Sequence, residues 1–211
     1  FVSLLTITPH ATASSATMAF TGSITSAGSA VKTVGKETIY VPASAMYPTT
    51  THGCAALTQV ELATPANAES LKPELKCLDF DPSADENAQF TVAFPKSWNE
   101  SNITFKAYFT VSGTNTGTVS WSLAGVSCAD NDAINASLGT AVAPTAKAHS
   151  GASGDVNVTA ESGNVTIAGS PSTDELVFFN VRRDVSADSQ TGDARLLGIQ
   201  IFFTTDAAND A

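Results

Sequence analysis

Apolar and polar residues alternate with a period of two through much of the chain. Ile103, Phe105, Ala107, Phe109 and Val111 fall on one side, with Thr104, Lys106, Tyr108 and Thr110 on the other. This is the pattern of a strand with one buried face. Val119, Trp121 and Leu123 form the next inward set, against Ser120, Ser122 and Ala124. The segment between them, 112–117, is rich in turn formers, so the two strands read as a hairpin. Phe90, Val92 and Phe94 alternate within 89–94. Shorter strands are expected at 38–41, stopped by Pro42, at 76–80, ended by Asp81 and Pro82, and at 156–158 and 165–167.

Two segments differ, because both of their faces are apolar. One is 176–181. In the other, near the end of the chain, Leu197, Ile199, Ile201 and Phe203 share one face, while Leu196, Gly198, Gln200 and Phe202 share the opposite one. Strands of this kind belong at the centre of a sheet or under a partner chain. The candidate subunit interface is therefore Leu176, Phe178, Phe179, Leu197, Ile199, Phe202 and Phe203, packed about a symmetry axis. The loop 184–193 joins the two segments.

No segment has the period of a helix, and roughly eight or nine short strands are separated by Gly, Pro and Ser turns. The expected fold class is all-β: an antiparallel β-sandwich, jelly-roll-like, preceded by an extended N-terminal arm. The arm covers 1–34, where Lys32 is the one charged residue, and the sandwich covers 35–211. Such an arm orders by lying along a neighbouring subunit or sheet edge. Ala11-Thr12-Ala13 follows an apolar start and resembles a signal-peptidase site, but no basic residue precedes it, so an arm is the favoured reading. Met18 is an alternative translation start.

Composition removes several classes of function. Hydrophobic residues make up 43% of the 211, enough for a substantial core, whereas charged residues are 14%, well below the usual level of about 25%. The formal net charge of −10 argues against a nucleic-acid partner, which requires basic patches. No run approaches the roughly 18 apolar residues of a membrane-spanning helix.

Candidate chemistry is sparse. Asp79, Asp81, Asp85 and Glu86 could offer oxygen ligands to calcium, but their spacing lacks the loop pattern of an EF-hand, and a solvated turn explains them equally well. Asp130 and Asp132 form a second, weaker acidic loop. His10, His52 and His149 are isolated, and no nucleophile or metalloprotease motif occurs. Neither a catalytic residue, a metal nor a cofactor is expected. Cys54, Cys77 and Cys128 have no zinc-like spacing and are expected as free thiols, with a Cys54–Cys77 bridge as the alternative. Arg182 and Arg195 are expected to meet carboxylates of a neighbouring strand or subunit. The candidate glycan contacts are Trp98, in the turn 95–99, and Tyr47; Trp98 otherwise caps the end of the sandwich, with Trp121 in the core.

Three segments carry a resemblance: KETIYVPASAMYPTTTHGCAALTQVE, LDFDPSADENAQFTVAFPKSWNE and DARLLGIQIFFTTDAANDA. Together they are similar to a family of small tailed-bacteriophage virion proteins, some stand-alone and some the heads of tail-fibre-like proteins. The similarity runs from about Lys36 to Ala211. It implies a β-sandwich on the outer surface of the virion, assembled as a homotrimer, without enzymatic activity. The short chain with its arm favours a capsid decoration, or cement, protein that contacts the major capsid protein or other virion proteins and stabilises the shell. The alternative is a tail-fibre or head-fibre receptor-binding domain that contacts host-surface glycans.

Overall fold

The computed structural model describes residues 34–60 and 73–207, and the backbone of two short strands before them. These strands, β1 (Thr25–Ser26) and β2 (Ser29–Ala30), pair antiparallel, Thr25 opposite Ala30. They lie in a compact unit spanning Phe1–Lys32; a second unit spans Thr33–Ala211. Beyond that short pair, the expected arm over 1–34, the signal-like start, Met18 and His10 lie outside the described residues.

The second unit is an antiparallel β-sandwich. In chain order its strands are β3 (Gly35–Pro42), β4 (Tyr47–Pro48), β5 (Thr58–Val60), β6 (Leu75–Phe80), β7 (Glu86–Ala93), β8 (Thr104–Val111), β9 (Thr118–Val119), β10 (Trp121–Cys128), β11 (Lys147–Ala148), β12 (Asn157–Val158), β13 (Leu176–Arg183) and β14 (Ala194–Thr205). The larger sheet runs β12-β8-β14-β6-β5, with β3 also on β14. The smaller sheet runs β10-β13-β7-β4, and β9 pairs with β11 apart from both. The described residues include no α-helix.

The two doubly apolar segments are central in their sheets, the first of the two placements that their pattern allows. β13 is hydrogen-bonded to β10 on one side and β7 on the other. β14 has β8 along one edge, with β6 and then β3 along the other. They sit in different sheets. The expected hairpin over 103–124 does not form: β8 belongs to the larger sheet and β10 to the smaller. β8 buries an alternating face along most of its length, whereas β10 is buried at every residue. The turn-forming residues between them carry the chain from sheet to sheet, a distinction that alternation cannot make.

A bulge corrects the face assignment of the last strand. The β14–β8 register shifts between Leu196 and Gly198. An extra residue switches the phase of a period-two pattern. Leu196 therefore joins Ile199, Ile201 and Phe203 in the core, while Leu197 lies half-buried on the outer side. Gly198 is required at this point. A Cβ there would run into the Tyr40 hydroxyl and the Val41 carbonyl oxygen. Tyr40 lies across the gap and donates to the Leu197 carbonyl at 3.3 Å.

The core is zoned by aromatic pairs. At one end Trp121 meets Phe80 edge-on (4.9 Å between centroids) and Phe109 at a tilt. In the middle Phe90 stacks on Phe179 at 5.3 Å, and the absence of a side chain at Gly125 admits the Phe179 ring. At the other end Trp98 stacks on Phe94 at 4.3 Å, and Phe94 meets Phe203 edge-on. Each pair adds about 0.5–1.5 kcal/mol beyond area burial.

Candidate functional site

The structure scatters the residues expected to form one interface. Phe179, Ile199 and Phe203 are buried in the chain's own core, facing the opposite sheet. They are not surface residues, because the alternation of β13 and β14 turns them inward. Leu176 and Phe178 project from the outer face of the smaller sheet; Leu197 and Phe202 project from the outer face of the larger one. The four that reach the surface thus lie on opposite sides of the sandwich and do not make one patch. Phe202 is further covered by Lys36 and Lys106, whose ammonium groups lie 4.9 and 5.8 Å from its centroid.

Trp98 is also corrected as a candidate glycan contact. Only 2% exposed, it packs beneath the end of the sandwich, where its backbone bridges to Thr205. The turn 95–99 folds inward, because Trp98 N donates to the Pro95 carbonyl and Asn99 N to the Thr204 carbonyl. Tyr47 remains at the surface, 49% exposed, on β4.

The acidic turn is spoken for within the chain. Asp81 Oδ1 accepts from the Ser83 amide and hydroxyl, and the hydroxyl bond in particular holds the Asp81 carboxyl below the usual carboxylate range. Glu86 Oε2 accepts from Asp81 N at 2.7 Å; partial burial pushes its carboxyl upward. Asp85 Oδ1 accepts from Val185 N at 2.9 Å, and Asp79 lies 3.4 Å from Arg195 Nε. No group of three or more His, Cys, Asp or Glu side chains is placed to hold a metal ion among the described residues. Both ring nitrogens of His149 contact backbone carbonyls, Asn115 at 2.8 Å and Ala152 at 3.0 Å. All three cysteines are free and buried. Burial, reinforced by the Glu86 charge, pushes the Cys54 thiol up to about 12.

Arginines mark one end of the smaller sheet. Arg182 pairs with Asp184 at 2.8 Å and Asp85 at 3.4 Å. The Ser186 hydroxyl, more than the charge of Arg182, keeps the Asp184 carboxyl below its ordinary range. Arg183 points the other way, into the interior. Its alternation with Arg182 along β13 was visible in the sequence, but its five buried donors were not assigned a partner there.

One surface remains on which several unlike polar groups converge. Cross-strand pairs share a face of a sheet. On the outer face of the smaller sheet, Tyr47 lies opposite Gln89, Gln89 opposite Asn180, and Asn180 opposite Ala124. In the adjoining row Asn87 lies opposite Arg182, and Arg182 opposite Ser122. Asn180 Nδ2 donates to Asn87 Oδ1 at 2.9 Å, and Asn87 Nδ2 to the His52 carbonyl at 3.2 Å. The face continues into a cleft of about 660 Å³ lined by His52, Ala84, Asp85, Asn87, Arg182, Val185 and Ser186. Gln89, Asn180 and Asn87 did not stand out in sequence, since Asn and Gln at alternate strand positions look like ordinary solvated residues.

No family model and no curated protein matches this chain. Among solved structures, the chain is similar to an Arthrobacter globiformis T6 isomalto-dextranase in complex with panose, with 14% identity and a TM-score of 0.40. The match covers 78% of this chain and 23% of the other, so the chain spans under a quarter of that protein's length.

Proposed function

We propose that this chain is a structural protein of the outer surface of a phage virion, a homotrimeric capsid decoration protein that stabilises the shell. The observation that carries this reading is the placement of partly exposed apolar residues on both outer faces. Leu176 and Phe178 lie on one, and Leu197 and Phe202, beside Tyr40 and Tyr108, on the other. A domain wedged between neighbours can use such apolar residues on both of its sides. The resemblance over residues 36–211 supports the virion setting and the trimer.

Strand order supports the jelly-roll-like form of the reading. Successive strands β6, β7, β8 and β10 alternate between the sheets; β13 then returns between β7 and β10, and β14 between β6 and β8. The reading is non-enzymatic, and purified protein that turned over a polysaccharide would overturn it. Its test is deletion of residues 1–34, followed by measurement of occupancy on purified particles and of particle heat resistance. Loss of occupancy with an earlier melting transition is expected; unchanged occupancy would contradict the cement role. The second reading, a tail-fibre or head-fibre receptor-binding domain, is favoured by the exposure of Tyr47 on a polar face.

A further inference from the structure

We infer that the outer face of the smaller sheet is a binding site for a neutral glycan chain, made by Tyr47, Gln89, Asn180, Asn87 and Arg182 and extending into the His52–Ser186 cleft. This inference concerns the ligand class and the residues, and it stands whichever place on a particle the domain occupies.

Geometry comes first. Tyr47, Gln89 and Asn180 lie in register on adjacent strands. Strands are spaced about 4.8 Å apart, so the row spans roughly 10 Å, the scale of a disaccharide. Each member offers something a pyranose uses. The half-exposed Tyr47 ring presents an apolar face with a hydroxyl tip to sugar C–H groups. The Gln89 and Asn180 amides each carry a donor and an acceptor, matching hydroxyls that do both. The Asn180–Asn87–His52 chain of hydrogen bonds fixes amide orientation, which reduces the entropy lost on binding.

The hydrogen-bonding capacity of this face is not consumed by the fold. The Gln89 side chain makes no hydrogen bond to the described chain, and Asn180 uses only its amide nitrogen. Beneath the surface, the Ser122 hydroxyl and Arg182 Nε, opposite one another in register, have no partner among the described residues. Ser122 is 3% exposed.

Charge selects the class of glycan. Arg182 is held by both Asp85 and Asp184, so the cleft mouth has a surplus of negative charge, in a chain of net charge −10. An anionic polymer is repelled there, whereas a neutral one gains the charge-assisted hydrogen bonds of the Arg182–Asp85 pair without a charge penalty. Leu176 and Phe178, the apolar residues of this face, lie toward the other end of β13, beside the Tyr47–Gln89–Asn180 row and outside it.

The test uses the purified full chain, free of particles, in affinity electrophoresis. Gels are cast with a neutral glucan, mannan or galactan, and with hyaluronate as the anionic probe. Retardation is expected in at least one neutral gel and not in hyaluronate. Tyr47→Ala and Gln89→Ala, both at surface positions and checked by circular dichroism, are each expected to weaken that binding by about tenfold. The inference is overturned by migration unchanged in all three neutral gels, by retardation in hyaluronate alone, by binding that neither variant weakens, or by these residues proving to bind a coat protein and no glycan. Because no virion is involved, failure here leaves the decoration reading standing, and failure of the arm deletion leaves this one standing.

Discussion

Arg183 and Asp188 form an ion pair closed off from solvent: Nε lies 2.7 Å from Oδ2, and the two side chains are 0% and 2% exposed. Every donor of the guanidinium is used. Nη1 reaches the Phe80 and Gly192 carbonyls, and Nη2 reaches Asp188 Oδ1 and the Gln190 carbonyl. Asp188 Oδ1 in turn accepts from Gln190 N at 2.9 Å. The loop between β13 and β14 is thereby tied to the end of β6. Removing one partner of such a pair strands a buried charge and costs about 3–5 kcal/mol. Arg183→Met and Asp188→Asn are each expected to lower the urea midpoint sharply. Arg183→Lys should recover little, since one ammonium with three donors cannot reach the five acceptor oxygens that the guanidinium fork spans. A midpoint within error of the parent for Asp188→Asn would disprove the anchoring role.

Trp98 is structural. Trp98→Ala removes a buried ring stacked on Phe94, and a loss of about 3–5 kcal/mol in unfolding free energy is expected. Chemical denaturation measures this. A variant as stable as the parent would return Trp98 to the surface.

The β14 bulge couples two residues distant in sequence. Gly198→Ala should destabilise the fold, because its methyl group meets Tyr40 and the Val41 carbonyl. Tyr40→Ala in the same chain should relieve part of that cost, the carbonyl contact remaining. A double-mutant cycle with no coupling between positions 40 and 198 would exclude this packing.

The thiols are inert in the native state. With Cys54 pushed up to about 12, its thiolate fraction at pH 8 is on the order of one in ten thousand. Burial likewise raises Cys77, and Cys128 is buried. A chromogenic disulfide reagent should find no reactive thiol in the native chain at pH 8, and all three after unfolding in denaturant. Cys54 reactivity should rise only as pH climbs toward its raised value. Rapid native labelling at neutral pH would contradict the burial.

What was legible in the sequence depended on local periodicity. The alternation from Ile103 to Val111 placed β8 nearly to the residue, Pro42 ended β3, and the doubly apolar segments were central, as β13 and β14 are. Information beyond the reach of local pattern was lost. Whether β8 and β10 pair or face one another is decided by distant partners: β13, 48 to 62 residues beyond β10, and β14, 83 to 98 residues beyond β8. The bulge at Leu197 depends on Tyr40, from the far end of the domain, so strict alternation put Leu196 on the wrong side. Trp98 could be read from its turn either as a surface contact or as a cap on the end of the sandwich, and the structure places it as the cap. The amide row of Gln89 and Asn180 was invisible, since only strand pairing brings it beside Tyr47.

The proposed role as a coat on a virion shell sets how many copies a particle carries. The direct measurement is quantitative mass spectrometry of purified particles carrying it, reading its ratio to the major coat protein. A decoration protein is present in fixed proportion to the coat subunits and falls away from the particle when residues 1–34 are removed. A ratio corresponding to only a few trimers per particle would contradict the claim and place the domain on a fibre.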